Sequence, residues 1–309
     1  MTSPASHHYL SVGKSRIHIA EWSSEQDTDK DATNNLDPLV LLHGFTGSAE
    51  AVGGLAEGLS KTHRVLAIDL PGHGQTEIGK TDQSILQHFS MEATVSYLWG
   101  ALDELGLFRV NLVGYSMGGR VALSAAVAHR QRVKSVVCIG ASAGITNPTE
   151  RAKRREADEI LAESILNEGV EQFIDLWLTQ PLFATLASRL SPAEFQTSRK
   201  QRLANTPEGL AFSLRGIGTG AMKPLRDELS DIDFPCLWIA GEEDEKFAAI
   251  AKEMSKTMPN GSHILIPSSG HSTHLENPAT TLDAIDSFLT QHSQLAGHSK
   301  ATESRVLPS

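Results

Sequence analysis

Ser116 is the residue whose sequence surroundings point most directly to chemistry. It lies at the centre of Gly114-Tyr115-Ser116-Met117-Gly118, which follows the apolar run VNLV and precedes the stretch GRVALSAAVA. A strand, a tight turn and a helix in this order form a nucleophile elbow, which needs small flanking residues because the strand and the helix approach closely. We therefore expect the hydroxyl to stand above the carboxyl edge of a sheet, where it can act as a nucleophile or a base.

A serine hydroxyl needs a general base within hydrogen-bond reach. The sequence offers His271 in SSGHSTHLENP, between the last predicted strand and the final amphipathic helix, Ala279 to Gln291. His274 is the alternative, but it lies closer to Glu276 and Pro278, where packing is the better use of an imidazole. We predict that His271 is the base, because a nucleophile elbow is commonly followed along the chain by an acid and then a histidine.

The carboxylate that orients this histidine should follow the preceding strand, and LWIAGEEDEKF supplies three acids there. Asp244 is the predicted partner, because a turn after the strand would direct it back toward the histidine loop. Such an acid fixes the imidazole tautomer and stabilises its charged form. Glu242 and Glu243 remain alternatives for the same role.

Negative charge that develops on a substrate oxygen requires preorganised N–H donors. The first predicted donor of this oxyanion hole is the backbone N–H of Met117, directly after the serine. The second is the N–H of Phe45 in the loop LLHGFTGS, which follows an early strand. His43 lies in that loop, and Asp69 and His73 lie in DLPGHGQT. All three are predicted to stabilise turns.

Short aliphatic runs alternate with helical stretches along most of the chain. This pattern predicts an α/β fold with a mostly parallel central sheet flanked by helices. Most of the runs are continuously apolar, as strands buried on both faces are. The predicted strands are Ser15 to Trp22, Leu39 to Leu42, Arg64 to Asp69, Val110 to Val113, Val133 to Ile139, Cys236 to Ala240 and Ser262 to Ile266.

The alternation stops after residue 145, which divides the chain into parts. Residues 146–227 contain several helical stretches without a strand and are predicted to form a helical cap inserted into the core. The core then comprises residues 1–145 and 228–292, and residues 293–309 are a polar, mobile tail. Residues 23–37 lack hydrophobic periodicity and are rich in turn formers, which predicts an exposed loop.

Composition narrows the classes of partner. A formal net charge of −10 argues against nucleic acid, which needs a concentrated basic face. The predicted cap is less acidic than the rest, with cationic clusters at 151–155 and 199–202.

The lack of a long apolar run and of a signal-peptide pattern predicts a cytoplasmic protein without membrane insertion. Cys138 and Cys236 lie in apolar runs and are predicted to pack as small hydrophobes.

Several motifs together carry a family resemblance. HGFTGS, DLPGHGQT, GYSMGG, GEEDEKF and GHSTHLENP resemble the α/β-hydrolase fold over nearly the whole chain. In the predicted cap, ERAKRREAD, FIDLWLTQPLF, SRKQRLAN and GLAFSLRGIGTG are similar to the 2-succinyl-6-hydroxy-2,4-cyclohexadiene-1-carboxylate synthase family of menaquinone biosynthesis. That family eliminates pyruvate from a 5-enolpyruvyl cyclohexene precursor, so the resemblance implies a lyase on a hydrolase fold, without a metal or organic cofactor.

The resemblance also implies a small substrate with three carboxylates. Arginine side chains bind carboxylates bidentately, which would suit such a substrate in an otherwise acidic protein. In the implied mechanism Ser116 removes a ring proton, and the oxyanion-hole amides hold the charge that develops. By position in the matching motifs, the expected substrate-binding residues are Tyr115, Arg120, Arg154, Trp177 and Arg202.

Two other functions fit the same residues. A hydrolase of esters or carbon–carbon bonds would use Ser116 as a covalent nucleophile and would not need arginines in the cap. A non-catalytic receptor on the same fold could keep the serine, acid and histidine and bind its ligand without turnover. The sequence does not predict the oligomeric state.

Overall fold

The computed structural model describes residues 5–23, 38–79 and 84–303, with side chains as far as residue 292. The loop predicted over residues 23–37 therefore lies, from residue 24 onward, outside the described residues. The last six residues of the predicted tail, 304–309, lie outside them as well.

A single sheet of eight strands forms the centre of the described structure. Its strands are β1 Ser6–Val12, β2 Ser15–Trp22, β3 Leu39–Leu42, β4 Val65–Ile68, β5 Val110–Tyr115, β6 Val133–Ile139, β7 Cys236–Gly241 and β8 Gly261–Ile266. The spatial order is β1-β2-β4-β3-β5-β6-β7-β8. β2 pairs antiparallel with both β1 and β4, and all other pairs are parallel. This confirms the predicted α/β fold with a mostly parallel sheet.

Each of the seven predicted strands is present, with ends that differ by at most two residues. β1 was missed by the sequence analysis. Its residues SHHYLSV are mostly exposed or half-buried, because it is an edge strand that pairs only with β2. A strand of this kind has no continuous apolar run, so its sequence resembles that of a polar terminus.

From β3 onward the helices alternate with the strands, except between β6 and β7, where several helices follow one another. In chain order they are α1 Gly53–Leu59, α2 Met91–Glu104, α3 Met117–Ala128, α4 Pro148–Glu168, α5 Val170–Leu178, α6 Leu186–Arg189, α7 Pro192–Leu203, α8 Pro207–Ile217, α9 Arg226–Leu229, α10 Glu245–Thr257, α11 Thr273–Glu276 and α12 Pro278–Glu303. The backbone of α12 thus continues well beyond Gln291, and the predicted tail begins as helix.

The sheet separates two apolar cores, because alternate side chains of a strand point to opposite faces. Along β3, Val40 and Leu42 join the core beneath α2, α3 and α10, whereas Leu39 and Leu41 join the core beneath α1 and α12. Both layers exclude water from the sheet. The catalytic candidates are left at the ends of the strands, where loops replace this packing.

Between β6 and β7 the described chain is helical. Asn147 caps α4, accepting hydrogen bonds from two backbone N–H groups, and Ser191 and Glu194 form a reciprocal capping box at α7. These helices bury a third apolar cluster of their own, which includes Ala162, Phe173 and Leu210. α9 spans the predicted boundary at residue 227, so the division into cap and core stays a prediction.

Two further observations concern the cysteines and the helix lengths. Cys138 and Cys236 lie on neighbouring strands, carry free thiols and are completely buried. No helix within the described ranges is long and apolar enough to cross a membrane.

Candidate active site

Ser116 lies at the sharp turn between β5 and α3. Its φ of 51° and ψ of −106° are unusual for a residue with a side chain, and such a conformation costs about 1–3 kcal/mol. A Cβ on Gly114 would come within 2.3 Å of the Gly118 carbonyl oxygen, and a Cβ on Gly118 within 2.0 Å of the Leu42 oxygen. The flanking glycines therefore permit the close approach of strand and helix that holds the hydroxyl out of the sheet.

His271 and Asp244 complete a hydrogen-bonded chain with this serine. Ser116 Oγ lies 3.1 Å from His271 Nε2, and His271 Nδ1 lies 2.8 Å from Asp244 Oδ2. A carboxylate can only accept, so Nδ1–H donates to Asp244 and Nε2 is free to accept the serine proton. The imidazole is only 1% exposed. The structure thus brings together the three side chains predicted as the triad.

Asp244 is held in place at the N-terminus of α10. Its Oδ1 accepts a hydrogen bond from the Phe247 N–H at 3.2 Å, which leaves Oδ2 for the histidine. Of the alternative acids, Glu243 forms an ion pair with Arg189, and Glu242 is exposed. Asp244 is therefore the acid of this turn that reaches the imidazole.

The predicted oxyanion hole lies beside the serine. His43 Nδ1–H donates to the Gly44 carbonyl oxygen at 2.8 Å, and His43 Nε2 accepts from the Leu70 N–H at 3.0 Å. The Gly44 carbonyl and the Phe45 N–H belong to one planar peptide group, so fixing the first also fixes the second. Within the described chain, no acceptor takes the N–H of Phe45 or Met117. Both donors remain available to a ligand.

Burial favours the neutral form of His43, in which Nε2 can accept the hydrogen bond from Leu70. Burial lowers the pKa of His43, although the nearby Asp69 carboxylate acts in the opposite direction. Burial and the neighbouring His43 lower the pKa of His73 to about 3. A neutral His73 accepts from the Thr46 N–H through Nε2, so both histidines stabilise the loop that carries Phe45.

The Asp69 carboxylate also stabilises the backbone near this loop through hydrogen bonds. Its carboxylate accepts hydrogen bonds from the N–H groups of Ala49 at 2.6 Å and Gln75 at 2.7 Å and from His18 Nδ1 at 2.7 Å. Burial alone would raise the pKa of Asp69, but these hydrogen bonds hold it below its usual value. These hydrogen bonds support the role in stabilising turns that was predicted for Asp69. The sequence analysis missed His18, because nothing in β2 marks one buried histidine among its other residues.

Arg202 places an unbalanced positive charge in the site. The side chain belongs to α7, is only 6% exposed and donates through Nη1 to the Thr46 hydroxyl. Its Nε has no hydrogen-bond partner, and no carboxylate of the described chain forms an ion pair with it. Burial lowers its pKa, and the only opposing influence is that of Tyr115. A buried guanidinium in this state favours a negatively charged ligand.

Arg120 and Arg154 form a second cationic group. Arg120 lies one helical turn beyond Ser116 and donates to the Ile217 carbonyl, while its Nε is buried without a partner. Arg154 pairs with the buried Asp158 at 2.8 Å. Burial and the charge of Arg154 lower the pKa of Arg120 to about 10. Among the described side chains Asp158 pairs with Arg154 and not with Arg120, so two guanidinium groups and one carboxylate leave a net positive charge here.

Tyr115 packs against His271, the predicted base. Its hydroxyl is 2.7 Å from the Ser272 hydroxyl, and its ring packs 5.4 Å from the ring of His271. Burial raises the pKa of Tyr115 to about 12, so the phenol stays neutral. The alternative base His274 packs 4.4 Å from the same tyrosine ring and makes no contact with Ser116 in this structure.

An aromatic wall faces these polar groups. The Trp177 ring lies edge-on to Phe45 at 5.6 Å, and its Nε1 has no partner. Phe183 was not predicted, yet its ring lies 6.3 Å from that of His271, and Arg202 stands over its face at 5.5 Å.

Among the described side chains, no group of three or more His, Cys, Asp or Glu is arranged to hold a metal ion.

Asn205 is a second residue that the sequence analysis missed. Its Nδ2 donates to the Thr46 carbonyl at 2.8 Å, and its Oδ1 accepts from the Gly74 N–H at 3.1 Å. It therefore connects the turn after α7 with two loops of the core. A single asparagine near a helix end carries no sequence signal for such a role.

Comparison with known proteins places this geometry in a family. A family model described as alpha/beta hydrolase fold matches residues 37–278. The 2-succinyl-6-hydroxy-2,4-cyclohexadiene-1-carboxylate synthase of Salmonella heidelberg (strain SL476) is 34% identical, over 81% of this chain and 93% of the relative. A Bacillus subtilis (strain 168) protein provisionally named as the same synthase is 38% identical, over 83% of this chain and 92% of that protein.

A solved structure agrees with these relatives. MenH from S. aureus aligns with a TM-score of 0.80 at 32% sequence identity, covering 89% of this chain and 98% of that chain. The similarity thus extends through both the core and the helical region that contains Arg154 and Arg202. The chain belongs to the α/β-hydrolase fold family and, within it, to the 2-succinyl-6-hydroxy-2,4-cyclohexadiene-1-carboxylate synthase family.

Proposed function

We propose that this protein is a carbon–oxygen lyase of menaquinone biosynthesis. It eliminates pyruvate from 2-succinyl-5-enolpyruvyl-6-hydroxy-3-cyclohexene-1-carboxylate and gives 2-succinyl-6-hydroxy-2,4-cyclohexadiene-1-carboxylate. The product is the compound after which the Salmonella relative is named. We further propose that Ser116, His271 and Asp244 perform the proton transfers and that the N–H groups of Phe45 and Met117 form the oxyanion hole.

The two compound names define which bonds change. The ring double bond at carbon 3 is replaced by double bonds at carbons 2 and 4, so carbon 2 loses a proton while the bond from carbon 5 to oxygen breaks. Carbon 2 carries the succinyl ketone, whose oxygen takes up negative charge as the proton leaves. Donors aimed at that oxygen lower the barrier, and losing one such donor typically costs about 3 kcal/mol.

Ser116 acts as the base in this scheme. Its own hydroxyl proton passes to His271 Nε2 as the serine oxygen takes the proton from carbon 2, and Asp244 stabilises the imidazolium that forms. The departing enolpyruvate takes the proton of the His271 imidazolium, which restores the neutral histidine, and then tautomerises to pyruvate. The Ser116–His271 distance of 3.1 Å supports this proton path.

The observation that carries the proposal is the buried charge of Arg202. A lyase substrate with three carboxylates would compensate the charge of Arg202, which has no acid partner among the described residues, and the net positive charge of Arg120 and Arg154, where Asp158 pairs with Arg154. A hydrolase of neutral esters gains nothing from a buried, unpaired guanidinium and would carry its desolvation cost. The charge pattern thus favours the polycarboxylate substrate.

The direct test is an assay of the purified protein with the enolpyruvyl substrate. Pyruvate is measured with a coupled dehydrogenase, and the cyclohexadiene product by its absorbance. We expect turnover by the wild type and a loss of at least ~1,000-fold in Ser116→Ala, because removal of a nucleophile or base commonly has that effect. Pyruvate release no faster than in Ser116→Ala would refute the proposal.

A further inference from the structure

One carboxylate, that of Glu276, accepts hydrogen bonds from both residues that flank His271. Glu276 Oε2 accepts a hydrogen bond from the Gly270 N–H at 2.8 Å, and Glu276 Oε1 accepts one from the Ser272 N–H at 3.0 Å. These two N–H groups belong to the residues directly before and after the histidine. The carboxylate therefore holds the backbone on both sides of the imidazole.

Glu276 is itself positioned by the short helix α11. Its backbone N–H donates to the Ser272 carbonyl at 2.9 Å, so Ser272 and Glu276 are joined in both directions. Within the described residues the carboxylate forms no ion pair with a Lys, Arg or His side chain. Both oxygens are thus committed to the histidine loop, and hydrogen bonds to a charged acceptor are about twice as strong as neutral ones.

The position of this backbone decides whether His271 can reach its partners. The imidazole must meet Ser116 Oγ on one side and Asp244 Oδ2 on the other, at 3.1 and 2.8 Å. Asp244 lies in the turn between β7 and α10, and Ser116 lies in the turn between β5 and α3. Neither residue therefore moves with the histidine loop. A small shift of that loop would therefore break the proton path, and a misplacement of about 1 Å can lower a rate ~100-fold.

We propose that Glu276 is a positioning residue for the reaction: it holds the N–H groups of Gly270 and Ser272 and thereby aligns His271 with Ser116. This inference rests on the role proposed above for His271. Glu276 acts through the backbone and does not touch the substrate.

The test separates alignment of the histidine from turnover of the substrate. Reaction of Ser116 with a fluorophosphonate reports the Ser116–His271 pair without any need for the lyase substrate. We expect Glu276→Ala to lower the labelling rate and the kcat of pyruvate release in parallel, by ~100-fold, with KM within about twofold of the wild type. Glu276→Gln has nearly the same shape but can accept only one of the two N–H groups, so its losses should be intermediate.

The matched control is Asn277→Ala. Asn277 Nδ2 donates to the Pro267 carbonyl at 3.0 Å, at the start of the same loop, but does not bond to Gly270 or Ser272. We expect nearly normal labelling and kcat in this variant. Melting temperatures of all variants identify any loss of fold. If Glu276→Ala does not fold, Glu276→Gln still tests the positioning role.

Two outcomes would overturn the inference. One is normal labelling and normal kcat in Glu276→Gln and Glu276→Ala, and the other is an equal loss in Asn277→Ala, which would mean that any weakening of the loop has this effect. If the wild type releases no pyruvate but is labelled quickly, and only the Glu276 variants are labelled slowly, the proposed function fails while the positioning role stands.

Discussion

Arg202 brings a positive charge into a site where the described chain supplies no carboxylate to balance it. Burying this charge costs free energy. The Thr46 hydroxyl offsets part of that cost because it accepts a hydrogen bond from one edge of the guanidinium, while Nε stays without a partner. A bound carboxylate would recover the missing interaction. The residue thus stabilises the complex more than it stabilises the free protein.

Replacing Arg202 with methionine should weaken binding of the polycarboxylate substrate. We expect KM for pyruvate release to rise ~30-fold or more, because loss of one partner from a buried charged pair costs about 2–5 kcal/mol. The KM for a neutral p-nitrophenyl ester should stay within about twofold. Steady-state kinetics of both reactions check this.

Arg215→Met is the control for that substitution. Arg215 also belongs to the helical region, but it pairs with Glu159 and Glu163 near the surface. It should leave KM for the polycarboxylate nearly unchanged. An equal increase of KM for ester and polycarboxylate in Arg202→Met would contradict the assignment.

Gly118 is a residue whose substitution tests the elbow itself. A Cβ there would lie 2.0 Å from the Leu42 backbone oxygen, so Gly118→Ala forces strand and helix apart. We expect the free energy of unfolding to fall by about 1–3 kcal/mol, as overpacked cores do, and Ser116 labelling to be lost. Urea unfolding and fluorophosphonate labelling measure the two effects.

Gly54→Ala is the matched substitution. Nothing lies within 4 Å of a Cβ at Gly54, which belongs to α1. Alanine is the better helix former by about 0.5–1 kcal/mol, so this variant should be at least as stable as the wild type. Equal stability of the two alanine variants would show that the close approach at Gly118 does not constrain the fold.

The meeting of Ser116, Asp244 and His271 could be predicted because each residue follows a parallel strand and the carboxyl ends of these strands lie at the same edge of the sheet. Their catalytic roles stay predictions until the assays above are done. The contact between Phe183 and His271 and the hydrogen bonds of Asn205 could not be predicted in this way. They depend on how the helical region packs against the core, which no local pattern encodes.

At the scale of elements, the accuracy of the sequence analysis followed burial. The fully buried strands β3, β4 and β7 have continuous apolar sequences and were found with nearly correct ends. The exposed edge strand β1 was missed. The other edge, β8, was found because of ILI, although Ile264 and Leu265 are 38% and 40% exposed there.

The junction between α7 and α8 should affect catalysis through the core loops that it contacts. Asn205→Leu preserves side-chain size but leaves the Thr46 carbonyl and the Gly74 N–H without their partner. Thr46 is buried, and a buried carbonyl that loses its partner costs about 1–3 kcal/mol, so we expect lower stability. We also expect kcat to fall about tenfold, because Thr46 adjoins the oxyanion donor Phe45.

Calorimetry and steady-state kinetics of Asn205→Leu check both effects. Gln201→Leu on the same helix is the control, since Gln201 makes only a 3.5 Å contact with the Glu50 carbonyl. Wild-type kcat in Asn205→Leu would mean that the junction does not influence the oxyanion loop.

At the scale of the whole molecule, buried histidines make stability depend on pH. Burial lowers the pKa of His73 and of His274 to about 3, and lowers those of His43 and His63 in the same direction. The unfolded chain binds these protons near pH 6.5, whereas the folded chain does not. Stability is therefore fully present above that pH and is lost as pH falls toward 3, by about 1.4 kcal/mol per pH unit for each of His73 and His274.

Urea unfolding between pH 5 and pH 7.5 measures this dependence. We expect His274→Phe to be less sensitive to acid by about one proton, since the ring packing on Tyr115 is kept and the titrating group is removed. An unchanged slope in His274→Phe, or a wild-type stability that does not fall below pH 6.5, would contradict the expectation.

The two thiols on β6 and β7 have a practical consequence. Cys138 and Cys236 are the only cysteines of the chain, and neither exposes its sulfur to solvent. The native protein should therefore not react with maleimides, whereas cysteines introduced at Ile160 on α4 and at Phe108 beside the sheet, both 66% exposed, should react readily. Paired spin labels or dyes at these sites would then report how far α4 stands from the sheet in solution, with both native cysteines left in place.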